Sequence, residues 1–166
     1  MVRVETVLDS WKVVRDDTAL AVEEFPADQL DFRPVEEVAT FREIARHILD
    51  ASHALTGMML DGVTNFHVPE FREMLKKYYP SDLGSTPAAL AAALRKAVAE
   101  RVSQLSAQPP EFFSEIMTRF DCTKVTRLEL LQFVKEHELT HRSQLFLYMR
   151  LKGLVPPPTR RRQAKK

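Results

Sequence analysis

Two histidines spaced four residues apart are the strongest chemical signal in the sequence. His137 and His141 fall in one helix-period segment, and this spacing places both imidazoles on the same helix face, about one turn or ~5–6 Å apart. Two neutral imidazoles so placed can chelate a divalent metal ion. They interrupt the apolar stripe of their helix, which consists of Leu130, Val134, Leu145 and Tyr148. Because burying imidazoles without partners is costly, a metal ion would satisfy both together.

A third ligand decides between this interpretation and two unrelated histidines, one on the surface and one hydrogen-bonded in the core. His47 lies on the inward side of another helix-period segment, next to Ile48, and is the candidate. His53 is six residues further on, about 240° round the helix, and is predicted to be a surface residue. His67 falls in a connection and is predicted to be exposed.

Two familiar metal sites fit the sequence poorly. The residues from His137 to His141 match the H-E-x-x-H pattern of zinc proteases, but no His, Asp or Glu follows His141 to supply the third ligand. Glu138 could nevertheless assist a metal-bound water. A di-metal carboxylate bundle needs Glu-x-x-His on two helices. Glu138 and His141 supply this once, and Asp50 with His53 only loosely resembles it.

Four long helix-period segments must position these residues. They cover 4–25, about 40–60, 87 to about 105, and 127–151. The second begins with the form of a capping box, Thr40 to Glu43, and Gly153 stands at the C-terminal cap of the fourth. The prolines fall almost entirely between these segments, and no stretch alternates with a period of two. The sequence therefore predicts an all-α four-helix bundle.

The connection between the second and third segments is long enough to change the topology. It covers 62–86 and contains one short helical piece at 69–79. Such a connection lets the third helix begin at the far end of the bundle instead of turning straight back. We expect one domain over residues 1–155, followed by a Pro-rich and then basic tail at 156–166.

Composition excludes several classes of protein. The chain has 166 residues, 45% of them hydrophobic, which suits one domain with a core. A single cysteine, Cys122, permits no intrachain disulfide. No apolar run approaches the ~20 residues of a membrane span, and the first residues are charged throughout. Five of the 24 basic groups lie in the last seven residues, so the body is mildly acidic and nucleic-acid binding is not expected. A cytoplasmic protein is predicted.

The chain resembles the DinB-like (DinB/YfiT) proteins at both ends. The segment 133–153 contains the pattern H-x-x-x-H-R-x-Q, then an aromatic residue, Leu, Arg-Leu and Gly, which in that family carries two metal-binding histidines. The opening is similar too, with Trp11-Lys-Val-Val-Arg15 followed by Phe25-Pro-Ala-Asp-Gln-Leu30. A helix bearing the first histidine follows in the family, and here it bears His47.

The resemblance implies a fold, a site and a class of activity. The fold is an up-down-down-up four-helix bundle that often forms a homodimer. The site is one divalent metal, nickel or zinc among others, held by His47, His137 and His141. The family includes transferases that use low-molecular-weight thiols and a maleylpyruvate isomerase, so a thiol is an expected second cofactor and the substrate an unidentified small molecule.

Three hypotheses about function follow from these residues. The first is a metal-dependent enzyme, either a thiol-dependent S-transferase or a hydrolase, because three imidazoles leave a coordination position open. Candidate catalytic residues are Glu138, and Gln144 and Tyr148, which share the histidine stripe. The second is a metal-binding protein without catalysis, such as a stress-related protein. The third is a bundle that acts through its dimer surface or its tail, with a structural metal.

Overall fold

The computed structural model describes residues 3–81 and 84–165 and is mainly helical. The chain forms α1 (Val4–Glu23), a 3-10 turn (Ala27–Gln29), α2 (Phe41–Leu60), α3 (Phe71–Lys77), α4 (Pro87–Ser106) and α5 (Pro110–Ser114). The strands β1 (Ile116–Thr118) and β2 (Lys124–Thr126), α6 (Arg127–Leu151) and α7 (Pro157–Gln163) follow. Within the part of the chain that the structure describes, no helix is both long and apolar enough to cross a membrane.

The ends of the helices are fixed by local sequence. The Thr40 hydroxyl accepts from the Glu43 amide at 3.2 Å, and the Glu43 carboxylate accepts from the Thr40 amide at 2.7 Å, which closes the predicted capping box of α2. Thr126 and Glu129 form a second capping box at the start of α6. Gly153, at a φ of 74°, follows the C-terminal end of α6, where a left-handed backbone favours glycine.

The bundle is made of α1, α2, α4 and α6, and α1 and α2 each pack against both α4 and α6. Near the two N-terminal ends of α2 and α4, Arg42 Nη1 donates to the Ser85 carbonyl at 2.9 Å. Further along both helices, Arg101 Nη2 donates to the His53 carbonyl at 3.1 Å. These two contacts show that α2 and α4 run parallel, as the long connection between them predicts.

The helices α1 and α6 run antiparallel to α2 and α4. Leu8, near the start of α1, lines the same cavity as Leu105, near the end of α4, so α1 and α4 are antiparallel. The Tyr148 hydroxyl, near the end of α6, donates at 2.8 Å to the Ala39 carbonyl, just before α2. The order along the chain is therefore up, down, down, up, which confirms the predicted fold.

The apolar core falls into two clusters, one toward each end of the bundle. One includes Phe25 and Phe41, whose rings stack with centroids 3.7 Å apart, and the other includes Trp11. Between the clusters, Arg15 Nε lies 2.8 Å from Glu138 Oε1, and neither residue is exposed to solvent. The same guanidinium donates to the Ser52 hydroxyl of α2 and the Leu94 carbonyl of α4. One buried cation thus connects all four helices of the bundle.

The strands β1 and β2 and the helices α5 and α7 were not predicted from the sequence. The strands β1 and β2 form an antiparallel hairpin, but each has only three residues, too few to show alternation. The helix α5 is a single five-residue turn beginning at a proline. The segment predicted to be a solvated basic tail contains α7, which contacts α1. There, Arg161 Nη1 lies 2.6 Å from Asp17 Oδ1, and the Arg160 guanidinium pairs with Glu24.

Candidate metal centre

Antiparallel packing of α2 and α6 brings three histidines together. His47 comes from α2, and His137 and His141 come from successive turns of α6. Their ring centroids are 4.5–4.9 Å apart, and one ligand atom from each lies within 4.8 Å of the other two. His47 Nε2 is 3.1 Å from His137 Nε2. Nitrogen ligands on a tetrahedral zinc ion are about 3.3 Å apart, so the arrangement fits a first-row divalent metal with three imidazole ligands.

The tautomer of one histidine is set by a neighbouring amide. His141 Nδ1 lies 2.7 Å from Gln144 Oε1, and the amide oxygen can only accept, so Nδ1 carries the proton. The Nε2 lone pair of His141 is then available to a metal. Metal-bound histidines commonly donate their second N–H in this way, which fixes the orientation of the ring. Gln144 therefore contacts the site through His141.

The site favours neutral imidazoles, the form that binds metal. The pKa of His137 is lowered to about 4, first by burial and then by the neighbouring His141 and His47. The pKa of His47 is also lowered, first by partial burial and then by His141. At neutral pH these two side chains are uncharged and their lone pairs can bind a cation without first losing a proton.

Replacing Gln144 with Leu is expected to weaken metal binding by about 10- to 100-fold, the range found when a histidine ligand loses its hydrogen-bonding partner. The variant removes the acceptor of the His141 Nδ1–H bond and leaves all three imidazoles in place. Calorimetric titration with zinc or nickel would measure the change. Ser143→Ala is a matched control, because the exposed Ser143 hydroxyl donates to the Leu139 carbonyl and to no histidine. Equal affinities in both variants would contradict the role of Gln144.

Acid is expected to destabilise the metal-free protein between about pH 6.5 and pH 4. The pKa of His137 and that of His53 are each lowered to about 4 in the folded protein. The unfolded chain therefore binds protons in this range that the folded chain does not, and the free energy of unfolding decreases as the pH falls. Thermal unfolding in the presence of a chelator would show a midpoint temperature that falls as the pH is lowered from about 6.5 to 4. In the double variant His53→Asn/His137→Asn the midpoint temperature should depend less on pH. If its pH dependence equals that of the parent protein, groups other than these two histidines cause the effect.

The structure places the three candidate catalytic residues in different surroundings. Gln144 and Tyr148 line a cavity next to His141, but the Tyr148 hydroxyl is already bonded to the Ala39 carbonyl. Glu138 is not part of the cluster. Its carboxylate is completely buried and accepts from Arg15, Trp11 and Thr18, so it cannot serve a water at the metal as the sequence suggested. Although it neighbours His137 in sequence, its side chain points to the centre of the bundle.

Of the two remaining histidines, one is placed as predicted. His67 is exposed. The His53 side chain is half-buried and lies close enough to Arg101 and Glu100 of α4 for their charges to act on its pKa, so the prediction of a surface residue was wrong. The physical reason is that α2 has two packed sides. His47 faces α6, and the rotation that takes His53 away from α6 turns it toward α4 instead of toward solvent.

An apolar cavity of about 360 Å³ borders the histidine cluster. His47, His141 and Gln144 form one wall. The rest of the lining is largely apolar and consists of Pro34, Val38, Ala39, Glu43, Ile44, Leu147 and Tyr148. Since three imidazoles leave at least one coordination position open, a molecule in this cavity can lie beside a metal held by the cluster.

The family model of the DinB family matches residues 1–166 of the sequence. The chain belongs to the DinB family. This agrees with the resemblance found at both ends of the sequence. A comparison with curated proteins found no match.

Solved structures show the same DinB fold. A DinB-like protein (YjoA) from Bacillus subtilis is 23% identical, with 90% of this chain and 94% of that chain covered and a TM-score of 0.71. YfiT from Bacillus subtilis is described as a probable metal-dependent hydrolase with an unusual four-helix bundle topology. It is 18% identical to this chain, the match covers 93% of this chain and 92% of that chain, and the TM-score is 0.69. A mycothiol-dependent maleylpyruvate isomerase is 14% identical, with 87% of this chain and 61% of that chain covered and a TM-score of 0.63.

Proposed function

We propose that this DinB-family protein is a metal-dependent transferase that joins a low-molecular-weight thiol to an apolar electrophile. The observation that carries the proposal is that two members of the three-histidine cluster, His47 and His141, line an apolar cavity. A closed structural site would have a fourth protein ligand, and among the described residues no Asp, Glu or Cys joins the three histidines. Zinc or nickel suits three imidazoles.

A divalent metal at the cluster would supply the positive charge that ionises a thiol at neutral pH. The protein side chains supply the rest. His47, His137 and His141 hold the ion, and Gln144 orients His141. The apolar lining of the cavity excludes water from the electrophile. In the reaction, a sulfur–carbon bond forms, the bond from that carbon to the leaving group breaks, and the thiol proton departs with the leaving group.

Hydrolysis is the second candidate. A water molecule at the same open position would also be ionised more easily, and the similar YfiT is described as a probable metal-dependent hydrolase. Neither Glu138 nor Glu43 is available as a base for such a water, because Glu138 is buried in an ion pair and Glu43 closes the capping box of α2. The apolar lining of the cavity also suits an apolar electrophile better than water. These features favour thiol transfer.

The test is a thiol conjugation assay with 1-chloro-2,4-dinitrobenzene as the apolar electrophile. Protein loaded with nickel or zinc should accelerate conjugation of a small thiol, and both metal-free protein and the His47→Ala variant should not. Leu147→Ser, which makes the cavity wall polar, should raise the KM for the electrophile severalfold without changing metal content. His67→Ala is the control. Release of chloride without a thiol would instead support hydrolysis, and no turnover of either kind with fully loaded protein would contradict both.

A further inference from the structure

A second cavity also reaches the histidine cluster. It has a volume of about 310 Å³ and is lined by Arg42, Glu43, Arg46, His47, Asp50, Tyr79, Gly84 and Leu90. His47 and Glu43 belong to the walls of both cavities. The two cavities differ in character, because half of the described residues that line the second one are charged. A metal on His47 would thus adjoin one apolar space and one polar space.

Among the described residues that line the polar cavity, the charges are balanced. They include two guanidinium groups, of Arg42 and Arg46, and two carboxylates, of Glu43 and Asp50. Arg42 is held by the Asp31 carboxylate and the Ser85 carbonyl. A wall with both signs of charge does not favour a simple anion or a simple cation. It suits a ligand that carries a positive and a negative group together.

Asp50 has one oxygen in need of a partner. Its Oδ2 accepts from Arg46 Nε at 2.8 Å, whereas its Oδ1 is buried and accepts from no donor among residues 3–81 and 84–165. Only 8% of Asp50 is exposed. A buried acceptor without a donor is unfavourable, so a donor from a ligand would be bound favourably here. The Arg46 side chain is about half-exposed and presents planar N–H groups suited to a carboxylate.

We propose that the polar cavity binds the thiol substrate, and that this thiol carries both an ammonium and a carboxylate group, as cysteine does. Asp50 accepts from the ammonium group and Arg46 donates to the carboxylate, while the sulfur is directed to the shared wall formed by His47. The apolar cavity then holds the electrophile. This assignment rests on the proposed function, since it divides the two reactants of thiol transfer between the two cavities.

The experiment compares four thiols on protein loaded with cobalt(II) under anaerobic conditions. L-cysteine has both charged groups, its methyl ester lacks the carboxylate, N-acetyl-L-cysteine lacks the ammonium group, and 2-mercaptoethanol lacks both. Thiolate-to-cobalt charge-transfer absorption reports the sulfur at the metal and gives a Kd for each thiol. Metal content measured after each titration shows that the free amino thiols have not extracted the ion.

We expect L-cysteine to bind at least about tenfold more tightly than the other three thiols, because each of them lacks at least one of the two charge-assisted hydrogen bonds. In Arg46→Met, L-cysteine should no longer bind more tightly than its methyl ester. In Asp50→Asn, L-cysteine should no longer bind more tightly than N-acetyl-L-cysteine. Asp50→Asn preserves side-chain shape, and Arg46→Met keeps an unbranched stem without the guanidinium group. Lys96→Met, which removes an exposed cation of α4 outside the cavity, is the matched control and should leave the order of affinities unchanged.

The outcomes separate the two proposals. If cobalt binds and no thiol produces the charge-transfer band, thiol transfer itself is wrong. If every thiol produces the band with similar affinity, or if Arg46→Met and Asp50→Asn leave the order unchanged, the assignment of the polar cavity is overturned and thiol chemistry at the cluster stands. If cobalt does not bind to the parent protein, both proposals fail.

Discussion

Replacing His137 and His141 together with Ala is expected to abolish metal binding. The parent protein should bind about one equivalent of nickel or zinc, with an affinity more than about 100-fold above that of the variant, because even the loss of a ligand's hydrogen-bonding partner weakens a site 10- to 100-fold. The double variant removes two of the three imidazoles that lie within 4.8 Å of one another. Elemental analysis of untagged protein, purified without chelator, and calorimetric titration would measure the difference.

The chain contains its own control for this experiment. His53→Ala/His67→Ala also removes two imidazoles, but neither belongs to the cluster. This variant should retain the full equivalent of metal. Equal metal content in the two double variants would show that the three-histidine geometry does not bind the ion. Both variants should retain their helical content, because His141 and His67 lie toward the surface and none of the four side chains belongs to the apolar clusters.

Helix periodicity predicted the helix faces on which the clustered histidines lie, and the resemblance to the DinB-like proteins implied that all three belong to one site. A spacing of four fixes His137 and His141 on one face of α6, and the apolar neighbours of His47 place it on the inward side of α2. The long connection before α4 then predicts the direction of the helices. Periodicity assigns a residue to a face of its own helix, and it is reliable where a helix has one packed side.

Periodicity fails where a helix has two packed sides or where a charge is buried. His53 was predicted to face solvent, and it faces α4 because α2 packs against both α4 and α6. Glu138 lies four residues after the buried Val134 and seven before the buried Leu145, which is a core position for an acid. Arg15 lies four residues after Trp11, also at a core spacing. A cation and an anion at core positions of two helices are the signal that could have revealed the ion pair.

The cavities could not be predicted because they depend on residues that are distant in sequence. The apolar cavity joins Val38, before α2, to Leu147 on α6. The polar cavity joins Arg46 on α2 to Leu90 on α4. Each pair meets only after α2 has packed against a different partner helix. The shared position of His47 in both walls is a property of the packed bundle, and it is the feature that points to a reaction between two molecules.

Replacing Arg15 with Met is expected to destabilise the protein by about 3–5 kcal/mol, the range found when one partner of a buried ion pair is removed. Arg15 and Glu138 are both completely buried, and the variant leaves the Glu138 carboxylate with only the Trp11 indole and the Thr18 hydroxyl as donors. Chemical unfolding with urea, followed by circular dichroism, would measure the loss in free energy of unfolding.

The double variant Arg15→Met/Glu138→Leu separates the ion pair from the packing around it. Removing both charges and keeping similar volumes is often neutral or stabilising, because neither charge must then be desolvated. We therefore expect the double variant to recover most of the stability lost in Arg15→Met. If the double variant were as unstable as the single one, the contribution of Arg15 would lie in its hydrogen bonds to Ser52 and Leu94, which connect α2 and α4 to α1. The single substitution Lys12→Met, at an exposed position of α1, should change the free energy of unfolding little.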